Sequence, residues 1–445
     1  MSKESKQRKN RRIENGRRLR QQRRSKHKSG SKTIMVLSIL LIIVVIAGIV
    51  NVVMNRNKSG SKDKADDNVK EAEIETVLVL NGADEVTIML NSMYEDEGAF
   101  PEASNISGTV DTTQAGTYIV KYTYGEQTAE RTVHVIDDGQ IIMNLNGSRA
   151  TYVKCGQSYI ESGCHAIDQD EGNITEGVEI SGEVDTDTVG DYEIIYTAVN
   201  SEGVKCSRAR IVHVVAEEDF KENTKGIPVL MYHYVYTADD QPDELNTNYI
   251  EDVKLEEHLQ YLTENDYYYP SYQELLAYIN GEIDLPEKSV ILTFDDGQKG
   301  YLNYGIPLLE KYEVPATAFI IASNSNADKI IKECASEYVS FQSHSYAMHQ
   351  GGGSIGHGGI ISAMSKDEII NDLKQAQTIV QNSEAFAYPY SDYTETAQEA
   401  VKEVGILCSF TTEYDRVQRG ADVTALPRVR IFGEGSLAGF ISQAE

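Results

Sequence analysis

Apolar and polar positions follow three different rhythms along the chain. From Thr33 to Met54 (TIMVLSILLIIVVIAGIVNVVM) the residues are apolar and uncharged, interrupted by Asn51. At about 1.5 Å rise per residue such a run reaches ~33 Å, which predicts a single transmembrane helix. A buried core helix and a cleaved signal peptide are the competing readings. The run is long for either, and no clear small-x-small cleavage site follows it, so an uncleaved anchor is expected. Between about residues 75 and 216 the rhythm changes to strict alternation, as in Tyr118-Ile119-Val120-Lys121-Tyr122, broken by Gly/Asp/Asn clusters. Ser107–Thr123 (SGTVDTTQAGTYIVKYT) returns at Ser181–Thr197 (SGEVDTDTVGDYEIIYT), and each copy is followed by a similar strand, TVHVI or IVHVV. This predicts two small antiparallel β-sandwich modules, 74–137 and 138–217.

From about Lys225 short apolar runs alternate with amphipathic stretches. Candidate strands are Ile227–Met231, Ser289–Thr293, Ala316–Ile321, Val339–Gln342 and Ala385–Tyr388. Candidate helices are Val253–Glu264, Tyr301–Tyr312, Lys366–Val380 and Glu395–Val404. The alternation predicts a parallel α/β domain over 225–445, open or closed into a barrel. The expected architecture is therefore multidomain: one N-terminal transmembrane helix, two β-sandwich domains and a C-terminal α/β barrel.

Charge sharpens the topology. Residues 1–32 hold 14 Lys/Arg against Glu4 and Glu14, near +12, whereas the chain as a whole carries −28. A basic tail beside an apolar span is retained in the cytoplasm by the positive-inside rule, which places everything after Met54 outside. Contact with anionic lipid suits that tail better than nucleic acid does, so no nucleic-acid partner is expected. The polar segment 55–73 reads as a flexible stalk. Five cysteines are present, and three of them, Cys155, Cys164 and Cys206, fall in the second module, where a disulfide is expected without a choice of pair. The loop Asp168–Asn173 offers oxygens for calcium, but an acidic solvent-exposed turn is the expected reading.

The candidate chemistry lies at the carboxyl ends of the α/β strands, where such folds place it. Phe294-Asp295-Asp296-Gly297 ends one strand, and the turn lets both carboxylates converge on one pocket, one as ligand and one as base. Ser343-His344-Ser345-Tyr346-Ala347-Met348-His349 ends another. Together with Asp296, His344 and His349 make the two-nitrogen, one-oxygen set typical of catalytic zinc, although each histidine alone reads as an ordinary one. Tyr388-Pro389 either aims a backbone N–H at a reacting oxygen or simply makes a turn. His233, after the first strand, is a candidate proton carrier or a core histidine.

These residues resemble the polysaccharide deacetylase family, also known as carbohydrate esterase family 4 or the NodB homology domain. Thr293–Gly297 (TFDDG) is similar to its first motif. His344-Ser345-x-x-x-His349 is similar to its second with one residue inserted. With Met231-Tyr232-His233 and Leu426-Pro427-Arg428, that spacing resembles the branch acting on poly-N-acetylglucosamine. The modules at 75–216 resemble bacterial Ig-like surface repeats. The chain departs from the family pattern in three places: no Arg precedes Phe386, Ser391 stands where Gly is common, and Ile431-Phe432-Gly433 occupies the region of the last motif's His.

The resemblance implies a distorted, incomplete (β/α) barrel and N-deacetylation of a cell-surface polysaccharide of N-acetylglucosamine, either peptidoglycan or a poly-N-acetylglucosamine exopolysaccharide. It implies one divalent metal, zinc, on Asp296, His344 and His349, with Asp295 as base. His233 would be the acid, and the Tyr388 N–H would support the oxyanion. The glycine-rich stretch 351–359, with His357, is expected to be a mobile loop over the site. The Ig-like modules are expected to act as a spacer. An inactive glycan-binding or adhesion protein is the alternative.

Overall fold

The structure, a computed structural model, describes residues 77–89, 94, 96–112, 116–136 and 140–445. The expected tail, membrane helix and stalk lie outside the described residues. Among the described residues no helix is long and apolar enough to cross a membrane.

The repeat folds twice, as the alternation predicts, but each module also holds one parallel pair, Glu85–Met89 with Gln127–Ile136 and Ala150–Lys154 with Lys205–Val215. In the first module Gly116–Tyr124 pairs antiparallel with both Asn105–Ser107 and Gln127–Ile136. In the second, Gly190–Val199 pairs the same way with Glu179–Ser181 and Lys205–Val215. Each core also carries a matching polar knot. Buried Arg131 bonds the hydroxyl of Tyr122, Asp96 and the Asn81 and Gly98 carbonyls. Buried Arg210 bonds the Tyr196 hydroxyl and the Asn146 and Gly163 carbonyls, while Tyr196 donates to Glu161. A buried guanidinium is tolerated only when its donors are satisfied, and both knots satisfy them in the same way.

In the second module the expected disulfide is not formed, and the Asp168 loop is the acidic turn that the sequence favours over a calcium loop. All five cysteines are thiols, and Cys164 and Cys206 pack as small apolar residues in the sandwich core. The Asp168 carboxylate is already used: it accepts from the Asp170 and Glu171 N–H groups and from Asn200, so it caps its own turn.

The C-terminal domain is a seven-stranded, wholly parallel sheet. In chain order its strands are β1 (Val229–Tyr232), β2 (Ile291–Phe294), β3 (Ala316–Ile320), β4 (Val339–Ser343), β5 (Ala385–Ala387), β6 (Cys408–Phe410) and β7 (Val429–Arg430). The spatial order is β6-β5-β4-β3-β2-β1-β7. β1, β2, β3, β5 and β6 are buried at every position, which is why their sequences read as apolar runs. The sheet curls without closing its ladder, and a parallel bridge Phe410↔Leu426 ties the end of β6 to the segment that feeds β7. The helices include α1 (Asp252–Glu264), α2 (Tyr272–Ile279), α3 (Ile306–Tyr312), α4 (Ala327–Glu333), α5 (Lys366–Val380) and α6 (Glu395–Glu403). Ser365 and Glu368 form a capping box that starts α5 where the sequence reading placed it.

The second module is docked against the C-terminal domain. Ile160 and Ile167 pack against the two largest clusters of the barrel core. Ser148 N–H donates to the Tyr269 carbonyl at 2.8 Å, and Asn146 Nδ2 donates to Glu384 at 2.8 Å. Glu337 is gripped by both Arg149 and Arg208. Gly147 has φ +75° and lies so near the Tyr269–Ser271 backbone that a Cβ would sit 2.8 Å from it. Residues Tyr269–Ser271, Glu337 and Glu384 precede α2, β4 and β5, so the module covers the end of the barrel opposite the motif turns.

Candidate active site

The first motif turns sharply where β2 ends. Asp296 adopts φ +74° and Gly297 φ +59°, and a Cβ on Gly297 would meet Ile320 at 2.5 Å. Glycine is therefore required there, and the left-handed pair separates two adjacent carboxylates into different environments.

Asp296 faces both histidines of the second motif. Its Oδ1 lies 3.3 Å from His344 Nε2 and 3.2 Å from His349 Nε2, and its Oδ2 accepts from the Tyr234 hydroxyl at 2.7 Å. His344 Nδ1 lies 2.7 Å from the Ala387 carbonyl, which can only accept, so Nδ1 carries a proton and Nε2 faces the carboxylate. For a neutral imidazole this sets a lone pair against an anion, a repulsive contact unless a cation lies between them. Burial would lower the His344 pKa, but Asp296 and Asp295 more than offset it and raise it. Burial likewise would raise the Asp296 carboxyl, and the two histidines with Tyr234 drive it far below the usual range. The three residues thus fit a divalent cation, with one nitrogen or oxygen offered by each.

The inserted residue of the second motif is absorbed in a tight turn. Ser345 sits at φ +71°, and its hydroxyl accepts from Met348 N–H. Asp372 on α5 accepts from the N–H groups of Tyr346 and Ala347, both at 2.8 Å, clamping the segment between the two histidines. Sequence reasoning missed Asp372, because within α5 it reads as one more polar helix position.

Asp295 is almost wholly buried, at 2%, and so is Arg428, at 0%. The guanidinium grips it with two parallel bonds of 2.8 and 2.7 Å, and it also bonds the Thr411 carbonyl and Thr293. Burial acts to raise the Asp295 pKa, but Arg428 outweighs it and holds the carboxyl below the usual range. The Leu426-Pro427-Arg428 segment was visible in the sequence, but not its approach to β2. His233 Nε2 is 4.0 Å from Asp295 Oδ2. Burial lowers its pKa, and the neighbouring aspartates offset this only in part, so the imidazole is neutral near pH 7.

Tyr388 does not take the expected place. Its N–H donates to the Phe410 carbonyl at 2.9 Å as part of the sheet, and its ring is buried against Phe386 and Tyr393. A donor committed to a strand partner is not presented to a reacting oxygen. Tyr390, two residues on at φ +60°, lies beside the site instead, with its ring 5.0 Å from that of His349. The glycine-rich stretch is also tied down. Gly351 bridges Gly359, and buried Asp392 accepts from the N–H groups of His357 and Gly359. His357 Nδ1 lies 2.7 Å from the Tyr390 carbonyl.

A curled parallel sheet with an Asp-His-His cluster and a charge-paired aspartate at its strand ends defines a hydrolase site of the deacetylase kind. Residues 282–408 match the polysaccharide deacetylase family, and residues 143–214 match the bacterial surface protein Ig-like domain. The chain thus carries an enzyme domain of the polysaccharide deacetylase type and an Ig-like domain. It is 26% identical over 225 residues to the poly-beta-1,6-N-acetyl-D-glucosamine N-deacetylase of Staphylococcus epidermidis, covering 45% of this chain and 78% of that protein. It is 24% identical over 237 residues to the Staphylococcus aureus protein of the same name, covering 48% and 80% respectively. Among solved structures, Streptococcus pyogenes deacetylase PplD in complex with acetate aligns at 24% identity with a TM-score of 0.44, covering 49% of this chain and 98% of that one.

Proposed function

We propose that the enzyme hydrolyses N-acetyl groups of a β-linked poly-N-acetylglucosamine outside the cell, using one zinc ion on Asp296, His344 and His349. The observation that carries the reading is the convergence of that cluster with the Arg428-held Asp295 at adjoining strand ends. Two nitrogens and one carboxylate favour zinc over harder cations. When bound there, the metal would supply a more acidic water and a polarised acetyl carbonyl.

The chain's own groups account for the proton traffic. Ionised Asp295 accepts the proton of the attacking water. Because Arg428 makes it a poor proton holder, the proton passes readily to neutral His233. His233 then protonates the departing sugar nitrogen, giving acetate and a free amine. In this reading the N–H of Tyr390, whose ring lies 5.0 Å from that of His349, replaces that of Tyr388 as support for the tetrahedral oxyanion. The pairing of Arg428 with Asp295 weighs against an inactive glycan-binding barrel.

The apolar run at 33–54 would hold the enzyme at the membrane, with its basic tail inside and the catalytic domain outside. Acetate release from β-1,6-linked N-acetylglucosamine oligomers, compared with peptidoglycan, tests the substrate. A higher kcat/KM on the oligomers is expected. A clear preference for peptidoglycan would reject the proposed substrate while keeping the chemistry.

A further inference from the structure

A row of aromatic rings leaves the site on the β1 side. Tyr234–Tyr236 pairs in parallel with Tyr249–Glu251, with Tyr234 opposite Tyr249. Because side chains alternate along a strand, Tyr234 and Tyr236 share one face, and both rings meet Tyr249, at 4.9 and 6.3 Å between centroids. Tyr234 is the ring whose hydroxyl holds Asp296. The row then continues to the β7 end. Gly433 packs on the Tyr249 backbone, Arg430 bonds the neighbouring Asn248, and the Arg430 guanidinium lies over Phe432 at 5.4 Å. Phe432 is 44% exposed, and Tyr236 and Tyr249 are half-buried.

Nothing in the fold explains this exposure. An apolar ring left 44% open loses the burial that stabilises core aromatics. Isolated exposed rings are ordinary, but here Tyr249 meets both Tyr236 and Tyr234, which holds a proposed metal ligand, and Phe432 adjoins the Gly433 that packs on the Tyr249 backbone. A pyranose ring presents C–H groups on its faces and hydroxyls on its rim. It can therefore lie on an aromatic face while its rim bonds groups such as Arg430 and Asn248.

We propose that Tyr236, Tyr249 and Phe432 form a subsite that stacks a sugar ring of the glycan chain next to the unit being deacetylated. This rests on the polysaccharide reading above. The subsite sets chain-length preference: one-sugar substrates do not reach it, whereas longer oligomers do.

The test uses the full chain with Phe432→Ala and Tyr236→Ala, neither of which touches the proposed ligands. Tyr249→Phe serves as a control that keeps the ring. Acetate release is measured on N-acetylglucosamine oligomers of increasing length, and oligomer binding is measured by calorimetry on chelator-treated protein. Each alanine variant is expected to raise KM for long oligomers by about tenfold with kcat nearly unchanged, to weaken oligomer binding equally, and to leave the shortest substrate unaffected. Equal losses at every length, or no loss at any, would overturn the subsite. Should the parent protein release no acetate while binding oligomers through Phe432, the deacetylase reading would fail and the subsite would stand.

Discussion

Replacing Arg428 with methionine is expected to destabilise the catalytic domain by about 3–5 kcal/mol, since it leaves Asp295 charged, buried and without its partner. Asp295 is 2% exposed, and in the parent both its oxygens are bonded to the guanidinium. Its pKa lies below the unfolded value, so the pair adds stability above the ordinary carboxylate range and loses it as pH falls through the folded value. In the variant the sign reverses: burial dominates, the carboxyl prefers to be neutral, and stability should rise as pH drops from 7 toward 5. Adding Asp295→Asn should recover much of the loss without restoring turnover. Arg428→Lys should not rescue, because one ammonium cannot reproduce the two parallel bonds. Denaturant unfolding at pH 5 and 7 reads all of this. A variant as stable as the parent at pH 7 would mean that the ion pair does not hold the β2 end.

The second large effect concerns the Ig-like module. Excising residues 138–217 removes the bonds to Tyr269 and Glu384, the clamp on Glu337 and the packing of Ile160 and Ile167. Burial opposes ionisation of Glu337, yet Arg208 and Arg149 outweigh it and lower its pKa. At about 1.5–3 kcal/mol for each charge-assisted bond, the loss is on the order of 5 kcal/mol. That corresponds to a fall of roughly 10–20 °C in Tm for a domain of this size. Glu337→Gln should lower Tm by a smaller step in the full chain. A catalytic domain that melts at the same temperature with and without the module would show that the docking adds no stability.

Much of this was legible in the sequence. Period-2 alternation marked the sandwich strands, and apolar runs marked β1 to β5, because parallel strands buried on both faces have no polar side. Asp296, His344 and His349 were found because each sits in a short motif at a strand end. Local sequence carries no information on which distant segment arrives beside a motif. Arg428 reaches Asp295 across 133 residues, and Asp372 reaches Tyr346 across 26. The error at Tyr388 has a related cause. Its N–H is used by β6, a strand too short, at Cys408–Phe410, to stand out from its surroundings. The docking of the Ig-like module was equally hidden, since Asn144, Asn146 and Arg149 look like ordinary exposed strand and turn residues until the barrel is placed against them.

The most direct measurement is acetate release from N-acetylglucosamine oligomers by the full-length protein as purified, after chelation, after zinc is restored, and with Asp296→Ala. Activity that disappears with chelator, returns with zinc and is absent from a correctly folded Asp296→Ala protein is the predicted result. Undiminished acetate release after chelation, or from the Asp296→Ala protein, would contradict a metal-dependent deacetylase built on Asp296, His344 and His349.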